Sequence, residues 1–218
     1  MRKINLHRFA VELYLKLLKL GVKFNEFGYP ICPKEMLLTE APDEIVPFEH
    51  KNSCKNTKKT VICYFQKDKL LYRRLKKLDS DADILQQYMA VAGFDLSPRL
   101  QSDLKNQKFN ILLNRMIDVY MAIKGIKILP NFRIGDLETI DSLSTYPVGS
   151  CFAVGTLGSS NWKVTEADLS YLMAKLLYIR PSKLFIYGKL KDEYKRVLDE
   201  FNVPFKVYED FRTSCFNK

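Results

Sequence analysis

The chain has 218 residues, of which 47% are hydrophobic, and a formal net charge of +10. The length fits one α/β domain with a terminal extension, and the composition predicts a sizeable packed core. No apolar run approaches the ~20 residues of a membrane-spanning helix. Glu12 and Lys16 also interrupt the apolar pattern of the first residues, so the sequence argues against a signal peptide and a membrane partner.

The first 77 residues are expected to hold one helix, an irregular segment and a dense run of positive charge. Apolar residues at helical spacing predict a helix over residues 4–20, and four prolines predict irregular structure over residues 24–59. Residues 51–77, the basic stretch, carry ten Lys or Arg residues and a single acid, Asp68. This charge fits either a polyanionic partner or a solvated surface. The candidates for nucleic-acid contacts are Lys58, Lys59, Lys67, Lys69, Arg73, Arg74, Lys76 and Lys77.

From residue 60 onward, short apolar runs alternate with amphipathic segments. This alternation predicts an α/β fold with about six mainly parallel strands and crossover helices, as an open sheet or a partial barrel. We expect an N-terminal helix and irregular extension over residues 1–59 and the α/β domain over residues 60–218, together forming one compact unit. The predicted strands are residues 60–65, 88–94, 126–130, 151–154, 183–186 and 205–208, and the predicted helices are residues 69–78 and 109–124, one that begins near Thr165, and residues 191–202.

Acidic and hydroxyl groups follow the first two of these strands. Ligands of parallel sheets bind at the carboxyl ends of the strands, so Asp68, Asp95 and Ser97 are candidate catalytic residues. Each has a structural alternative. Asp68 suits the N-cap of the next helix, and Asp95 and Ser97 suit a turn before Pro98.

Further polar groups follow the third, fourth and fifth strands. The loop after the fourth strand combines glycine, hydroxyl and amide groups that can offer N–H donors to a phosphate, but it matches neither the P-loop nor the dinucleotide fingerprint. Asn131 also suits a turn, and Arg115, on the helix before it, is expected at the surface. The candidate ligand- or phosphate-binding residues are Asn131, Asp136, Gly155, Gly158, Ser159, Ser160, Asn161 and Tyr187.

The five cysteines are typical of a reduced, cytoplasmic chain. Their number is odd, and no Cys-x-x-Cys pair occurs. Cys32, His50 and Cys54 are candidate metal ligands by residue type, but their spacing matches no standard zinc signature, so no metal site is predicted.

Taken in order, these motifs resemble a family of uncharacterised proteins of bacteriophages and mobile elements, a domain of unknown function. The resemblance covers roughly residues 61–188. It implies a phage or prophage setting, in which the protein would reside in the cytoplasm of the host cell. It carries no established activity. The motifs are Phe65-Gln-Lys-Asp68, Phe94-Asp-Leu-Ser97-Pro98, Asn114-Arg115, Leu129-Pro130-Asn131, Ala153-Val-Gly-Thr-Leu-Gly158 and Ile186-Tyr-Gly188.

Three functions remain open from the sequence. The first is an accessory protein of a phage or mobile element that binds nucleic acid through the basic stretch. The second is an enzyme that acts on a nucleotide or phosphodiester at the strand ends, with Asp68 and Asp95 as general base or as ligands of Mg²⁺, the one cofactor considered. The third is a protein-binding module that inhibits a host factor. The sequence does not specify an oligomeric state.

Overall fold

The computed structural model describes residues 4–156, 163–211 and 213. Within these residues, short strands alternate with helices along the chain. Short 3₁₀ helices occur between them, and the longest covers Leu137–Thr145. The strands are β1 (Glu44–Pro47), β2 (Thr60–Cys63), β3 (Ala90–Ala92), β4 (Ile128–Leu129), β5 (Cys151–Gly155), β6 (Lys183–Tyr187) and β7 (Phe205–Tyr208), and the helices are α1 (Leu6–Lys19), α2 (Asp68–Leu75), α3 (Leu78–Leu85), α4 (Leu104–Ile123), α5 (Glu166–Ile179) and α6 (Asp192–Glu200).

The strands form two parallel sheets in chain order, β1-β2-β3-β4 and β5-β6-β7. The sheets meet at Ala153, whose N–H donates to the Pro130 carbonyl at 2.7 Å and whose carbonyl accepts from the Phe132 N–H at 2.8 Å. Nearer the start of β4, the N–H of Leu38 donates to the Ile128 carbonyl at 2.8 Å, so an N-terminal segment lies beside β4 there. Among the described residues no ladder joins β7 to β1, and the strands do not close a barrel.

Alternate residues of the strands enter two separate clusters, because successive side chains of a strand point to opposite faces. Both faces are buried, as expected for parallel sheets. The outer cluster packs against the helices and includes Ile62, Val91, Phe152, Leu184 and Ile186. The inner cluster draws residues from both sheets and so joins them, and it includes Val61, Cys63, Ala92, Ala153, Phe185, Tyr187 and Tyr208.

The predicted fold class is confirmed, and the main error lies in the N-terminal region. Residues 24–59, expected to be irregular, contain β1, which pairs with β2 from Glu44↔Thr60 to Pro47↔Cys63. Proline is tolerated at the end of an edge strand, where its missing N–H is not needed. Helix α4 begins at Leu104, before the predicted residue 109, with Asp103 as the N-cap. Helix α5 begins near Thr165, as predicted, with a capping box formed by Thr165 and Asp168.

None of the described helices combines the length and apolar character that crossing a bilayer requires. The four cysteines within the described residues, Cys32, Cys54, Cys63 and Cys151, are free thiols.

Candidate binding site at the carboxyl ends of the strands

Asp95 lies just beyond the carboxyl end of β3, with its carboxylate buried. The side-chain amide of Asn131 donates to Oδ1 of Asp95 at 2.8 Å, and Nη1 of Arg133 lies 2.8 and 2.9 Å from the two carboxylate oxygens. Burial raises the pKa of Asp95, and the charge of Arg133 opposes this shift. The ion pair positions Arg133 at the strand ends, where 43% of its side chain stays exposed.

Two asparagines of α4 hold the loop that follows Asp95. The Asn114 side chain accepts from the N–H of Leu96 and donates to its carbonyl, each at 2.9 Å. The Asn110 amide donates to the carbonyl of Ser97, also at 2.9 Å. Because a buried backbone group without a partner costs free energy, these contacts fix the loop in one position relative to α4.

Asp68 contacts the same loop from the other side. Its Oδ1 accepts a hydrogen bond from the N–H of Ser97 at 3.0 Å, so the structure brings Asp68, Asp95 and Ser97 together. The alternative of Asp68 as N-cap is wrong, because Lys67 is the N-cap of α2 and Asp68 is its first helical residue. Its carboxylate bonds to the neighbouring loop instead of capping its own helix.

Arg115 is buried beneath this site, contrary to the expected surface position. Only 2% of the residue is exposed. Its guanidinium donates to the backbone carbonyls of Arg133 at 2.9 Å and Ser142 at 3.2 Å. Arg115 therefore ties the loop after β4 to the 3₁₀ helix Leu137–Thr145 and supports Arg133 from below.

Asp118, one helical turn after Asn114, is a second buried acid that sequence analysis missed. Its Oδ1 accepts from the N–H of Phe94 at 2.8 Å, and its Oδ2 accepts from the Tyr146 hydroxyl at 2.5 Å. Burial raises the pKa of Asp118 to about 6, and the charge of Arg115 opposes the shift. A carboxylate within the apolar run from Met116 to Met121 is the signal that could have indicated it, because a charge in such a position needs partners.

A cleft of about 280 Å³ opens beside the Asp95–Arg133 pair, between the loops after β3 and β4 and the helices α5 and α6. Its walls are mainly apolar and aromatic, and three basic side chains, Arg99, Arg133 and Lys175, line it. Concave, largely apolar sites with a few polar groups are typical of ligand pockets. Sequence analysis placed the ligand site at these strand ends but did not identify Arg99, Arg133 or Lys175.

Lys175 enters the cleft from α5. Its Nζ donates to the carbonyl of Phe132 at 3.1 Å and lies 4.6 Å from the centre of the Phe132 ring. Burial, together with the nearby charge of Arg133, lowers the pKa of Lys175 to about 8. Lys175 is the only charged residue between Leu169 and Ile179, a pattern that could have marked it as an inward-facing lysine.

The other predicted ligand residues are spread along the strand ends. Asn131 contacts Asp95, Gly155 lines the cleft, and the Tyr187 hydroxyl accepts from the N–H of Phe211 at 2.8 Å. The Asp136 carboxylate accepts from Gln107 at 2.7 Å and from the Gln101 N–H at 3.1 Å. These bonds lower the pKa of Asp136. The remaining four predicted residues, Gly158, Ser159, Ser160 and Asn161, lie outside the described residues.

A family model described as "Domain of unknown function (DUF4417)" matches residues 27–205. The chain belongs to this family. The expected resemblance to a domain of unknown function is thereby confirmed, over a longer span than the predicted residues 61–188. No curated protein and no solved structure matches the chain. The DUF4417 match contains β1 to β6, the whole cleft and the basic stretch.

The basic stretch of this DUF4417 chain divides between the two ends of the strands. Lys58 and Lys59 precede β2, whereas Lys67 and Lys69 follow it at the carboxyl edge, the edge of the sheets at which the strands end. Arg73 and Arg74 lie in the last turn of α2, and Lys76 and Lys77 follow that helix. The predicted residues therefore do not form a single patch.

Within the described part of the chain, Arg74 and Lys59 of the predicted nucleic-acid contacts form ion pairs. Nε of Arg74 donates to the buried carboxylate of Asp81 at 2.8 Å, and the guanidinium lies over the Phe48 ring. Nζ of Lys59 lies 3.7 Å from the Asp43 carboxylate. Arg74 is therefore part of the packed structure, whereas the Lys59 pair is exposed and contributes little.

Cys32, His50 and Cys54 were the candidate metal ligands by residue type. The His50 ring stacks on Phe211 with 3.9 Å between ring centres, and burial raises the pKa of the Cys32 thiol to about 12. Among the described residues, no group of three or more His, Cys, Asp or Glu side chains is arranged to hold a metal ion.

Proposed function

We propose that this chain binds nucleic acid along its carboxyl edge, as a cytoplasmic accessory protein of a phage or other mobile element. The observation that carries the proposal is a group of five basic residues, three of which line the cleft at that edge and two of which lie on the neighbouring helix α2. They are Lys69 and Arg73 on α2, Arg99 in the loop after β3, and Arg133 and Lys175 in the cleft. We call these five residues the basic track.

Tyr72 and Asp68 support the continuity of the basic track. Asp68 joins α2 to the loop that carries Arg99 through its hydrogen bond to Ser97. The pKa of Tyr72 is raised by burial and by the charge of Asp68 and is lowered by the charge of Arg99. The start of α2 and the loop after β3 therefore lie within electrostatic range of each other.

The chemistry of the basic track favours binding over catalysis. Lys and Arg neutralise phosphates and release counterions, which supplies most of the affinity of sequence-independent binding. Arg133 contacts both oxygens of Asp95, so this carboxylate is engaged by a cation of the protein. An enzyme that uses Asp95 as a general base or Mg²⁺ ligand would first have to break that pair.

The test is fluorescence-anisotropy binding of short labelled single- and double-stranded DNA and RNA across a salt series. We expect the logarithm of the affinity to fall linearly with the logarithm of the salt concentration. Replacing Lys69 and Arg73 together by Glu should weaken binding by roughly tenfold or more and reduce the salt slope by about 0.7 to 0.9 for each lost phosphate contact.

The matched control is Lys55→Glu combined with Lys58→Glu, which reverses the same number of exposed charges before the start of β2, away from the carboxyl edge. This control should lose much less affinity than the Lys69/Arg73 variant. Equal losses would indicate attraction to the overall charge and overturn the assignment to the carboxyl edge. Absence of binding to all four nucleic acids at low salt would overturn the function itself.

A further inference from the structure

Two of the three cations that line the cleft, Arg133 and Lys175, lie within electrostatic range of each other. Arg133 is paired with Asp95, but among the described residues no carboxylate pairs with Lys175. The acid that lines the cleft, Asp168, belongs to the capping box, where it accepts from the N–H and hydroxyl of Thr165 at 2.9 and 2.7 Å. Arg133 and Lys175 therefore repel each other in a partly desolvated site.

Like charges in such a site favour a bound anion, which would lie between them and relieve the repulsion. Arg133 presents a planar guanidinium that matches the geometry of a phosphate, and Lys175 adds a point charge. The Asp95 carboxylate holds the Arg133 guanidinium and the Phe132 carbonyl holds Lys175, so the polar end of the cleft is positioned before any ligand arrives.

The remainder of the cleft suits a flat, apolar group attached to that anion. Phe132, Tyr171 and Tyr194 contribute aromatic side chains, and the other walls are mainly aliphatic residues of β5, β6 and α6. Aromatic side chains bind nucleobases by stacking, with little dependence on the base. A simple inorganic anion would leave this apolar surface uncovered.

We propose that the cleft binds one nucleoside phosphate, with the phosphate between Arg133 and Lys175 and the base against Tyr171 and Tyr194. This inference deepens the proposed function by assigning a nucleotide-recognition site at the end of the basic track. The same chemical group could come from a free nucleotide or from the phosphorylated end of a bound strand, and the experiment separates these sources.

The experiment is calorimetric titration of the full chain with deoxyadenosine 5′-monophosphate, deoxyadenosine and inorganic phosphate. The nucleotide should bind saturably and at least about tenfold more tightly than either fragment. Lys175→Met, which keeps the apolar stem, should weaken nucleotide binding by at least about tenfold. Tyr194→Ala should weaken nucleotide binding but leave phosphate binding unchanged. The matched control, Lys195→Met on the exposed side of α6, should bind like the unmodified chain.

A second experiment tests whether the bound phosphate belongs to the end of a nucleic-acid strand. It uses oligonucleotides that carry either a 5′-phosphate or a 5′-hydroxyl. If the ligand is a strand end, Lys175→Met removes the preference for the 5′-phosphate; if it is a free nucleotide, the two oligonucleotides bind equally. No saturable nucleotide binding, or equal affinities for Lys175→Met and Lys195→Met, would overturn the inference. If the inference fails in this way, loss of nucleic-acid binding in the Lys69/Arg73 variant would still support the proposed function. Nucleotide binding without strand binding would overturn only the proposed function.

Discussion

Asp118 combines a buried position with a pKa near the physiological range. Its two oxygens accept from a backbone N–H and from the Tyr146 hydroxyl, and the charge of Arg115 partly offsets its desolvation. The adjacent strand end has no room for a side chain, because a Cβ at Gly93 would lie 2.7 Å from Oδ2 of Asp118. The carboxylate is therefore a fixed part of the layer that supports Asp95 and Arg133.

The first prediction concerns the pH dependence of Asp118→Asn. The folded-state pKa of Asp118, about 6, lies above its ordinary value of 3.8, so the folded chain holds this proton more tightly than the unfolded chain. The unmodified protein should therefore lose up to about 3 kcal/mol of stability relative to Asp118→Asn as the pH rises from about 4 to 6, with no further change above that range. Urea unfolding at a series of pH values measures this difference.

Asp136→Asn provides a control, because folding shifts the pKa of Asp136 in the opposite direction to that of Asp118. The folded-state pKa of Asp136 is lowered by its hydrogen bonds to Gln107 and Gln101. Its contribution to stability is present above pH 3.8 and is lost as the pH falls below that value. The free energies of unfolding of the unmodified chain and of Asp118→Asn could instead change in parallel between pH 4 and 6. That result would show that the pKa of Asp118 is not raised in the folded chain.

The charged residues that position the site could be found from the sequence only in part. Arg115, Asp118 and Lys175 each interrupt an apolar helical segment, and such residues are buried only when partners satisfy them. The sequence does not show those partners, because Arg115 bonds to carbonyls 18 and 27 residues away. Asp95 was identified because it directly follows a strand, a position that depends on local sequence alone.

At the scale of elements, the strands that were predicted are those indicated by local sequence, and the strand that was missed depends on a distant partner. The runs at residues 60–65, 151–154 and 183–186 contain enough consecutive apolar residues to indicate buried parallel strands. β1 has only two fully buried residues, Ile45 and Val46, with Pro47 at its end. Its strand conformation depends on pairing with β2, a contact that the local sequence does not encode.

A close contact between β5 and the end of β2 gives the second prediction. A Cβ at Gly155 would lie 2.7 Å from Cδ1 of the Phe65 ring, and Phe65 in turn packs on Tyr187. Gly155→Ala should therefore lower the free energy of unfolding by about 1 to 3 kcal/mol through overpacking. Urea denaturation measures the loss, and the slope with denaturant should stay unchanged.

A double-mutant cycle with Phe65→Leu tests the cause. The smaller, flexible side chain makes room for the new methyl group, so Gly155→Ala should cost about 1 kcal/mol less in the Phe65→Leu background. Additive effects of the two substitutions would show that the Gly155→Ala penalty comes from the backbone rather than from contact between the two sheets.

At the scale of the whole molecule, the N-terminal region and the C-terminal strand meet. The Pro42 carbonyl accepts hydrogen bonds from the Tyr208 hydroxyl and from Nζ of Lys206, both at 2.9 Å. The N–H of Leu38 donates to the carbonyl of Ile128, in β4, at 2.8 Å. Residues 1–59, set apart as an extension in the sequence analysis, thus contact both sheets within the described part of the chain.

The third prediction is that Tyr208→Phe reduces the local stability of both β1 and β7, the first and last strands of the fold. The substitution keeps the ring that packs on Phe185 but removes one donor to Pro42, which should cost about 1 kcal/mol. In hydrogen exchange followed by mass spectrometry, peptides covering β1 and β7 should both lose protection, whereas β3 should not change. A loss confined to β7 would mean that the Pro42 contact does not couple β1 to the second sheet.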